Sequence, residues 1–271
     1  MVCYYGPSLN STSYNPCELD RSDYVFVLFR NGHLQQALEY AKEIKCDIST
    51  LTCSLSGRTL LHHAVSMGSR DAIRLLIDSG MSPDAVSADH LHVIFYAAIE
   101  NMYDMIPVLV EFGSNINWVR NQGTDLYSWD KNSTGYKSIL AEYVSSFSRC
   151  VLGVRVLVQN GADVNWMSAS GYSPLWGACR GFGGPDIVRE LCELGANPNA
   201  RTPEGHSLFY RLVIDDYFQP GWGHISAHAL FSVLYKYGCD VNAESGPHGR
   251  TALMEATVLG RTGLAQTLMF L

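Results

Sequence analysis

A five-residue phrase recurs along the chain and constrains the fold more than any other feature of the sequence. It occurs as GSNIN (113–117), GADVN (161–165), GANPN (195–199) and GCDVN (238–242), with a weaker form, GMSPD, at 80–84. The successive first glycines are 33, 48, 34 and 43 residues apart. Recurrence at a period near 33 residues indicates a solenoid, in which each repeat packs mainly against its neighbours.

A second recurring segment, mostly apolar, follows each copy of the phrase. Its forms are HLHVIFYAA (90–98), GTDL (123–126), GYSPLWGAC (171–179), GHSLFYRL (205–212) and GRTALMEA (249–256), and GRTLLHHA at 57–64 is an earlier match. Apolar residues at helical spacing in these segments predict a first helix, and a second apolar stretch before each glycine predicts a second helix. We expect hydroxyl caps at the first helices from Thr59, Ser173, Ser207 and Thr251, and Pro174 occupies a first helical position.

The two segments together resemble the ankyrin repeat, whose pattern is G-x-TPLH-x-A, a helical pair and then GADVN. The resemblance covers roughly residues 55–271. It implies an all-α solenoid of helix-turn-helix repeats joined by hairpin loops, with about six to seven repeats. The repeats are placed at about 55–87, 88–120, 121–168, 169–202, 203–245 and 246–271, the last of them incomplete.

The parts of the chain that depart from the repeat are two insertions and the two ends. The long spacings place insertions around 127–137 and 215–224, which are either part of a binding face or surface loops without a role. Residues 20–54 read as a degenerate capping repeat, with helices over 20–30 and 34–44, and residues 1–19 read as an irregular arm. Because no polar cap follows 264–271, we expect a truncated chain or one that continues into a further domain.

Composition limits the class of partner and the compartment. The formal net charge of −7 gives no basic surface for nucleic acid or anionic membrane. The sequence contains neither a long apolar run nor a secretory leader pattern. Its eight scattered cysteines are typical of reduced thiols, so we expect a cytoplasmic or nuclear protein, or one in the host cytosol if it is a pathogen effector.

Patterns that would indicate catalysis or metal binding are incomplete. His224 and His228 could share a helix face, but Ile225 stands where a metalloprotease needs glutamate, and packing or solvated histidines are the simpler interpretation. Gly181–Gly184 lacks the lysine of a phosphate loop, and 205–209 lacks the second glycine of a nucleophile elbow. We therefore expect no catalytic residue, no metal and no cofactor.

The resemblance also implies where a protein partner would bind. The family's contact positions flank the hairpin and lie at the end of the first helix, and candidates beside them extend the surface. Carried onto this sequence, the candidates are Met67, Leu91, Ile99, Glu100, Trp118, Arg120, Trp166, Met167, Tyr172, Arg180, Arg201 and His206. Such a surface would suit an acidic or amphipathic peptide.

Trp118 and Trp166 are the most unusual of these candidates, because each directly follows a hairpin asparagine where the family usually has a small residue. They form either an exposed ladder at the centre of an interface or a structural contact packed sideways on the adjacent hairpin. The hairpin asparagines themselves, Asn117, Asn165, Asn199 and Asn242, are expected to bond local backbone and stabilise the turn. The resemblance adds asparaginyl hydroxylation as a secondary possibility.

Three functional hypotheses follow from the sequence. The first is a non-enzymatic adaptor, scaffold or inhibitor, monomeric by itself, that binds a partner protein. The second is the targeting part of a larger enzyme or effector, such as a ubiquitin-ligase substrate receptor or an effector of an intracellular bacterium. The third and weakest is a hydrolase or transferase built from the arm and the insertions. The fold by itself does not choose among them.

Overall fold

The computed structural model describes residues 21–120, 137–146, 150–180, 184–215 and 227–271. The predicted arm at 1–19 therefore lies outside the described residues. So do the predicted insertions, apart from Lys137 at the end of one and Asp215 at the start of the other. The chain forms two compact units, residues 1–90 and residues 91–271, and each is treated separately.

The first unit contains two helix pairs. They are α1 (Arg21–Arg30), α2 (Leu34–Glu43), α3 (Leu60–Ser66) and α4 (Arg70–Asp78). The helices predicted over 20–30 and 34–44 are confirmed to within one residue at each end. Helix α1 packs against both α2 and α3, so the atypical first pair joins the core of the unit.

A buried histidine links the two pairs of the first unit. Nε of Arg30 donates to Nδ1 of His63 at 3.4 Å, and the His63 ring meets Phe26 edge-on at 5.3 Å. Burial, reinforced by the charge of Arg30, lowers the pKa of His63 to about 3. The imidazole is therefore neutral at physiological pH and can accept the bond from Arg30.

The second unit continues the helix pairs and adds one short two-stranded ladder. Its elements are α5 (Val93–Ile99), α6 (Met105–Glu111), β1 (Val119–Arg120), β2 (Lys137–Ser138), α7 (Ile139–Ser145), α8 (Val151–Gln159), α9 (Pro174–Arg180), α10 (Gly184–Glu193), α11 (Leu208–Ile214), α12 (Ala227–Lys236), α13 (Ala252–Val258) and α14 (Thr262–Met269). The first helices α5, α7 and α9 pack in sequence, as do the second helices α8, α10, α12 and α14. Packing of each helix on the equivalent helix of the next repeat is what a repeat period near 33 residues predicts.

Strands β1 and β2 bracket one of the predicted insertions. They pair antiparallel, with Val119 opposite Ser138 and Arg120 opposite Lys137. The chain therefore leaves the hairpin at Arg120 and returns beside it at Lys137, directly before α7. An insertion whose two ends meet in this way leaves the spacing of the helix pairs unchanged.

Three of the four predicted hydroxyl caps are confirmed. Ser173, Ser207 and Thr251 each accept a hydrogen bond from the backbone N–H three residues further on, at 3.2–3.4 Å. The prediction for Thr59 is wrong, because its hydroxyl lies 2.8 Å from Nδ1 of His62 and makes no cap bond. His62 is fully buried, and a buried imidazole requires a polar partner. The Thr59 hydroxyl therefore bonds the His62 ring and not a backbone N–H of the helix.

Within the described residues, no helix combines the length and the apolar character that crossing a membrane requires.

Candidate functional site: the hairpin surface

The hairpins of the second unit are tied together by their asparagines. Nδ2 of Asn117 donates to the carbonyl of Gly161 at 2.9 Å, and Oδ1 of Asn117 accepts from the N–H of Asp163 at 2.8 Å. Asn165 makes the same two bonds to Gly195 and Asn197, at 3.0 and 2.7 Å. Asn199 repeats them with Gly238 and Asp240, both at 2.8 Å. We call these three pairs of bonds the asparagine ladder.

The ladder corrects the expectation that these asparagines bond their own turn. Each of the three ladder asparagines reaches the next repeat, whereas its own turn is held by the residue two positions earlier. In all four hairpins, that of Asn242 included, this earlier side chain accepts from the backbone N–H of the hairpin asparagine at 2.9–3.0 Å; the acceptors are Asn115, Asp163, Asn197 and Asp240. The local and the inter-repeat roles are thus divided between two residues of each GADVN phrase. Hydroxylation of Asn117, Asn165, Asn199 and Asn242 stays a prediction.

Replacing Asn165 by alanine should lower the free energy of unfolding by about 1–3 kcal/mol, because two inter-repeat hydrogen bonds are lost. Asn242→Ala is the matched control. Its backbone makes the same local bond to Asp240, but no residue in the described part of the chain bonds its side-chain amide. The control should change stability by less than about 0.5 kcal/mol. Urea unfolding followed by circular dichroism measures both, and equal losses would contradict a structural role for the ladder.

Five of the predicted contact residues are open or half-open beside the hairpins and the ends of the first helices in the second unit. Glu100 and Arg201 are exposed, and Ile99, Met167 and His206 are half-buried. Arg201 donates from one guanidinium nitrogen to the carbonyls of Gly205 and Glu244, each at 2.8 Å, so it joins two hairpins. Met67, in the first unit, is 41% exposed at the end of α3.

Three of the predicted contact residues are buried, and their side chains support the repeats instead of facing a partner. Leu91 is in the core, and the Tyr172 hydroxyl bonds that of Ser145. Arg120 is 3% exposed and donates to Oε1 of Glu142 at 2.6 Å. The other hairpins carry serine or threonine at the position of Arg120, so the sequence offered a sign of this departure.

The two tryptophans are half-buried and not the fully exposed ladder that one interpretation of the sequence describes. The indole of Trp118 lies 4.9 Å from the ring of His92, tilted by 31°, which supports a structural contact at this position. Their hairpins are direct neighbours, because Asn117 bonds both Gly161 and Asp163. Each tryptophan therefore combines a packed side with a part that water can reach.

A cation–aromatic cluster near the hairpins was only partly visible in the sequence. The guanidinium of Arg211 lies 4.3 Å from the centre of the buried Trp176 ring, and that of Arg180 lies 5.5 Å from it. Arg211 also donates to the carbonyl of Gly171 at 2.6 Å. Sequence reasoning identified Arg180 but missed Trp176 and Arg211. The signal available for Arg211 was a charged residue inside the otherwise apolar segment 208–214.

The described cysteines are free thiols, and three of them have a raised pKa that keeps them unreactive. Burial raises the pKa of Cys179, of Cys192 to about 11 and of Cys239 to about 12, so these thiols remain protonated at neutral pH. Cys150 differs from them. Its partial burial raises the pKa of the thiol, but hydrogen bonds from Tyr103, at 2.8 Å, and from the Gly153 N–H together outweigh that effect and lower it.

Within the residues that the structure describes, no three His, Cys, Asp or Glu side chains gather as a metal site requires. His228 is exposed at the start of α12, and His224 lies outside the described residues. The arrangement is that of a repeat protein with a preformed surface of linked hairpins.

Family comparison agrees with this architecture. The model described as ankyrin repeats (3 copies) matches residues 25–120, and that described as ankyrin repeat matches residues 170–203. The chain belongs to the ankyrin repeat family. The match from residue 25 onward includes the pair α1–α2, which the sequence interpretation treated as a degenerate cap.

Two curated relatives from Arabidopsis thaliana are similar to parts of the chain. One is the E3 ubiquitin-protein ligase KEG, 28% identical over 162 residues, or 59% of this chain. The other is the putative E3 ubiquitin-protein ligase XBAT35, 40% identical over 55 residues, or 20% of this chain. The chain spans 9% and 12% of the length of these relatives.

Solved structures with the same fold include two ankyrin repeat domains. That of Bcl-3, described as a unique member of the IkappaB protein family, is 21% identical, with a TM-score of 0.61 over 90% of this chain and 97% of its own. That of human ASB11 is 19% identical, with a TM-score of 0.57 over 91% and 96% of the two chains. At this level of identity the likeness concerns the fold alone, which is an all-α ankyrin solenoid.

Proposed function

We propose that the chain is a protein-binding module and that a partner contacts the linked hairpins of its second unit. The observation that carries the proposal is the asparagine ladder. It holds successive hairpins in one register through six hydrogen bonds from Asn117, Asn165 and Asn199. A surface that is ordered before the partner arrives loses little conformational entropy on binding. Ankyrin repeats in general imply a protein-interaction role, and their fold is typically non-catalytic.

The chemistry of the hairpins supports a mixed aromatic and polar interface. Trp118, Trp166 and Met167 offer half-buried apolar surface, and the candidate residues Arg201 and Glu100 offer exposed charge. Tryptophan, methionine and arginine are enriched where interfaces are most buried. Trp166 is the better probe of binding, because Trp118 also packs on His92.

Trp166→Ala should weaken binding of the physiological partner by at least about tenfold, as truncation of a central aromatic anchor does. A partner is first captured from lysate with the parent chain and then purified, and titration calorimetry gives the dissociation constant. Tyr235→Ala is the matched control. Tyr235 is an aromatic residue that is 48% exposed near the end of the second helix α12 and is not one of the proposed contact residues.

The comparison of these two variants decides the proposal. Loss of binding by Trp166→Ala, with an unchanged unfolding midpoint and full binding by Tyr235→Ala, supports the hairpin surface. Equal binding by both variants contradicts it. Adding Trp118→Ala tests whether the second indole also contributes to binding. The unfolding curve of that variant shows how much of any effect comes instead from losing the packing of Trp118 on His92.

A second candidate function is the substrate-recognition part of a ubiquitin ligase. It is supported by the descriptions of the two curated relatives, of which one is an E3 ubiquitin-protein ligase and the other a putative one. If it holds, a longer polypeptide that contains this chain should ubiquitinate the captured partner, and Trp166→Ala should suppress that reaction. Modification that is insensitive to the variant would contradict this role for the hairpins.

A further inference from the structure

The first helices of the second unit carry a row of side chains at the fourth residue after each cap. Two carboxylates of this row have ion partners: Glu142 pairs with Arg120 at 2.6 Å, and Glu255 pairs with Arg250 at 3.1 Å. The third charged member, Arg211, forms no ion pair with any carboxylate of the described residues. The full row is Tyr96, Glu142, Gly177, Arg211 and Glu255.

Arg211 lies where the packing of the first helices is interrupted. Helix α7 packs on α9 and α11 packs on α13, whereas α9 and α11 approach each other less closely. The Arg211 guanidinium crosses this gap, donates to the Gly171 carbonyl at 2.6 Å and lies 4.3 Å from the centre of the Trp176 ring. Gly171 has a φ of +73°, and a Cβ there would lie 2.9 Å from Nη1 of Arg211, so only glycine permits this contact. The guanidinium is therefore held in place by backbone and ring contacts.

Positive charge is concentrated on the two aromatic rings beside the gap. The Arg180 guanidinium lies 5.5 Å from the centre of the Trp176 ring, on which Arg211 also lies. The ammonium group of Lys137 lies 4.8 Å from the centre of the Tyr172 ring, just before α9 in the chain. Three cations of the described residues thus lie over two neighbouring aromatic side chains, an arrangement that cation–π attraction stabilises.

The Arg211 guanidinium is half-buried without a bonded counter-ion. Burial is the largest influence on the pKa of Arg211 and lowers it, and the charge of Arg180 acts in the same direction. The charges of Asp215 and Glu204 oppose this shift from a distance, but the Glu204 carboxylate is bonded to Thr202 instead. A partly dehydrated cation of this kind gains more from an incoming anion than a fully hydrated one does.

Hydrogen-bond donors also outnumber acceptors at the gap. The Gly171 carbonyl occupies one nitrogen of Arg211, and the other two guanidinium nitrogens bond no acceptor in the part of the chain that the structure describes. The indole N–H of Trp176 is buried and has no hydrogen-bond partner among the same residues. A carboxylate carries only acceptors and binds a guanidinium through both of its oxygens. It therefore matches the charge of the gap and its surplus of donors.

We propose that Arg211, held against Trp176 and flanked by Arg180, binds an aspartate or glutamate side chain of the protein partner. This inference rests on the proposed function and names the chemistry that the partner brings. First helices continue on both sides of the gap, α7 and α9 before it and α11 and α13 after it, so a peptide segment extends both ways from its acidic residue. The carboxylate therefore belongs to a side chain within the segment and not to a chain end. Because the chain has a net charge of −7, which disfavours acidic ligands in general, a preference for them requires a local site.

The test uses the full chain and short peptides selected on it from a random phage-displayed library. Selection should enrich aspartate or glutamate at one fixed position. The selected peptide is then synthesised with blocked ends and with either glutamate or glutamine at that position, and titration calorimetry gives both dissociation constants. The parent chain should bind the glutamate peptide at least about tenfold more tightly, and Arg211→Met should reduce that ratio to about one. Because both peptides meet the same variant, a general loss of stability cancels in the ratio.

Two further variants make the outcome specific. Arg211→Gln keeps an amide N–H without the charge and should also lose the preference for glutamate, which guards against a poorly folded Arg211→Met. Arg189→Met removes a cation that is 44% exposed on α10 and should leave the ratio unchanged. Selection without an acidic position, or a preference for glutamate that survives both Arg211 variants, overturns the proposal. A glutamine peptide with a free C-terminal carboxylate that binds as tightly as the glutamate peptide also overturns it.

Trp166→Ala separates this inference from the proposed hairpin surface. If that variant weakens both peptides while the Arg211 variants keep the glutamate preference, the hairpin surface stands and the carboxylate site is wrong. If the Arg211 variants remove the preference while Trp166→Ala binds both peptides as the parent chain does, the carboxylate site stands and the hairpin contact is wrong.

Discussion

Trp176→Ala is expected to lower the free energy of unfolding by about 3–5 kcal/mol, the usual result of truncating a fully buried aromatic side chain. Trp176 is 2% exposed on α9 and is among the largest fully enclosed side chains of the described residues. Its removal leaves a cavity in a helix that packs against both α7 and α10. It also removes the ring face on which the guanidinium groups of Arg211 and Arg180 lie.

The measurement is urea unfolding followed by circular dichroism, with hydrogen exchange of the α9 amides as a local readout. Trp166→Ala is the matched control, since it deletes the same side chain from a half-buried hairpin position. It should cost clearly less than Trp176→Ala. Equal losses would mean that Trp166 is as well packed as Trp176, which would contradict its proposed place in a binding surface.

Glu142→Ala should be about as destabilising, by about 3–5 kcal/mol, because it removes the carboxylate that faces the buried Arg120 guanidinium. The side chains of Arg120 and Glu142 are 3% and 6% exposed, and their closest nitrogen and oxygen atoms are 2.6 Å apart. Arg120 also belongs to strand β1, where it lies opposite Lys137 of β2. The ion pair therefore helps to hold the strand pair together. Loss of the carboxylate should therefore loosen β1 and β2 together with α7.

Two further variants separate the pair from the general effect of removing a carboxylate. Asp186→Ala breaks an exposed ion pair, in which the Asp186 side chain is 72% and the Arg189 side chain 44% exposed, and should cost less than about 1 kcal/mol. Combining Arg120→Met with Glu142→Leu should recover part of the loss, because neither charge of the pair is then left buried. If Glu142→Ala cost no more than Asp186→Ala, water would have to reach the pair in solution.

The fate of the predicted contact residues shows where sequence reasoning stops. Leu91 and Tyr172 hold positions that the family pattern assigns to a partner, and Arg120 was a candidate because it lies beside Trp118, yet all three are buried. Hairpin position alone does not fix exposure, because burial depends on which side chain the neighbouring repeat places opposite. Arg120 is buried since Glu142, 22 residues away, supplies its counter-charge, and Trp118 is partly covered by His92.

The repeat itself was determined by the sequence. Glycine spacing, apolar periodicity and hydroxyl caps gave the helix pairs, because helix ends and turns depend on residues within a few positions of each other. Partner choice among polar groups was decided only by the tertiary structure: Thr59 bonds His62, the ladder asparagines bond the next repeat, and Arg211 stacks on Trp176. Those contacts join residues up to 46 apart, and a side chain takes whichever partner packing brings within reach.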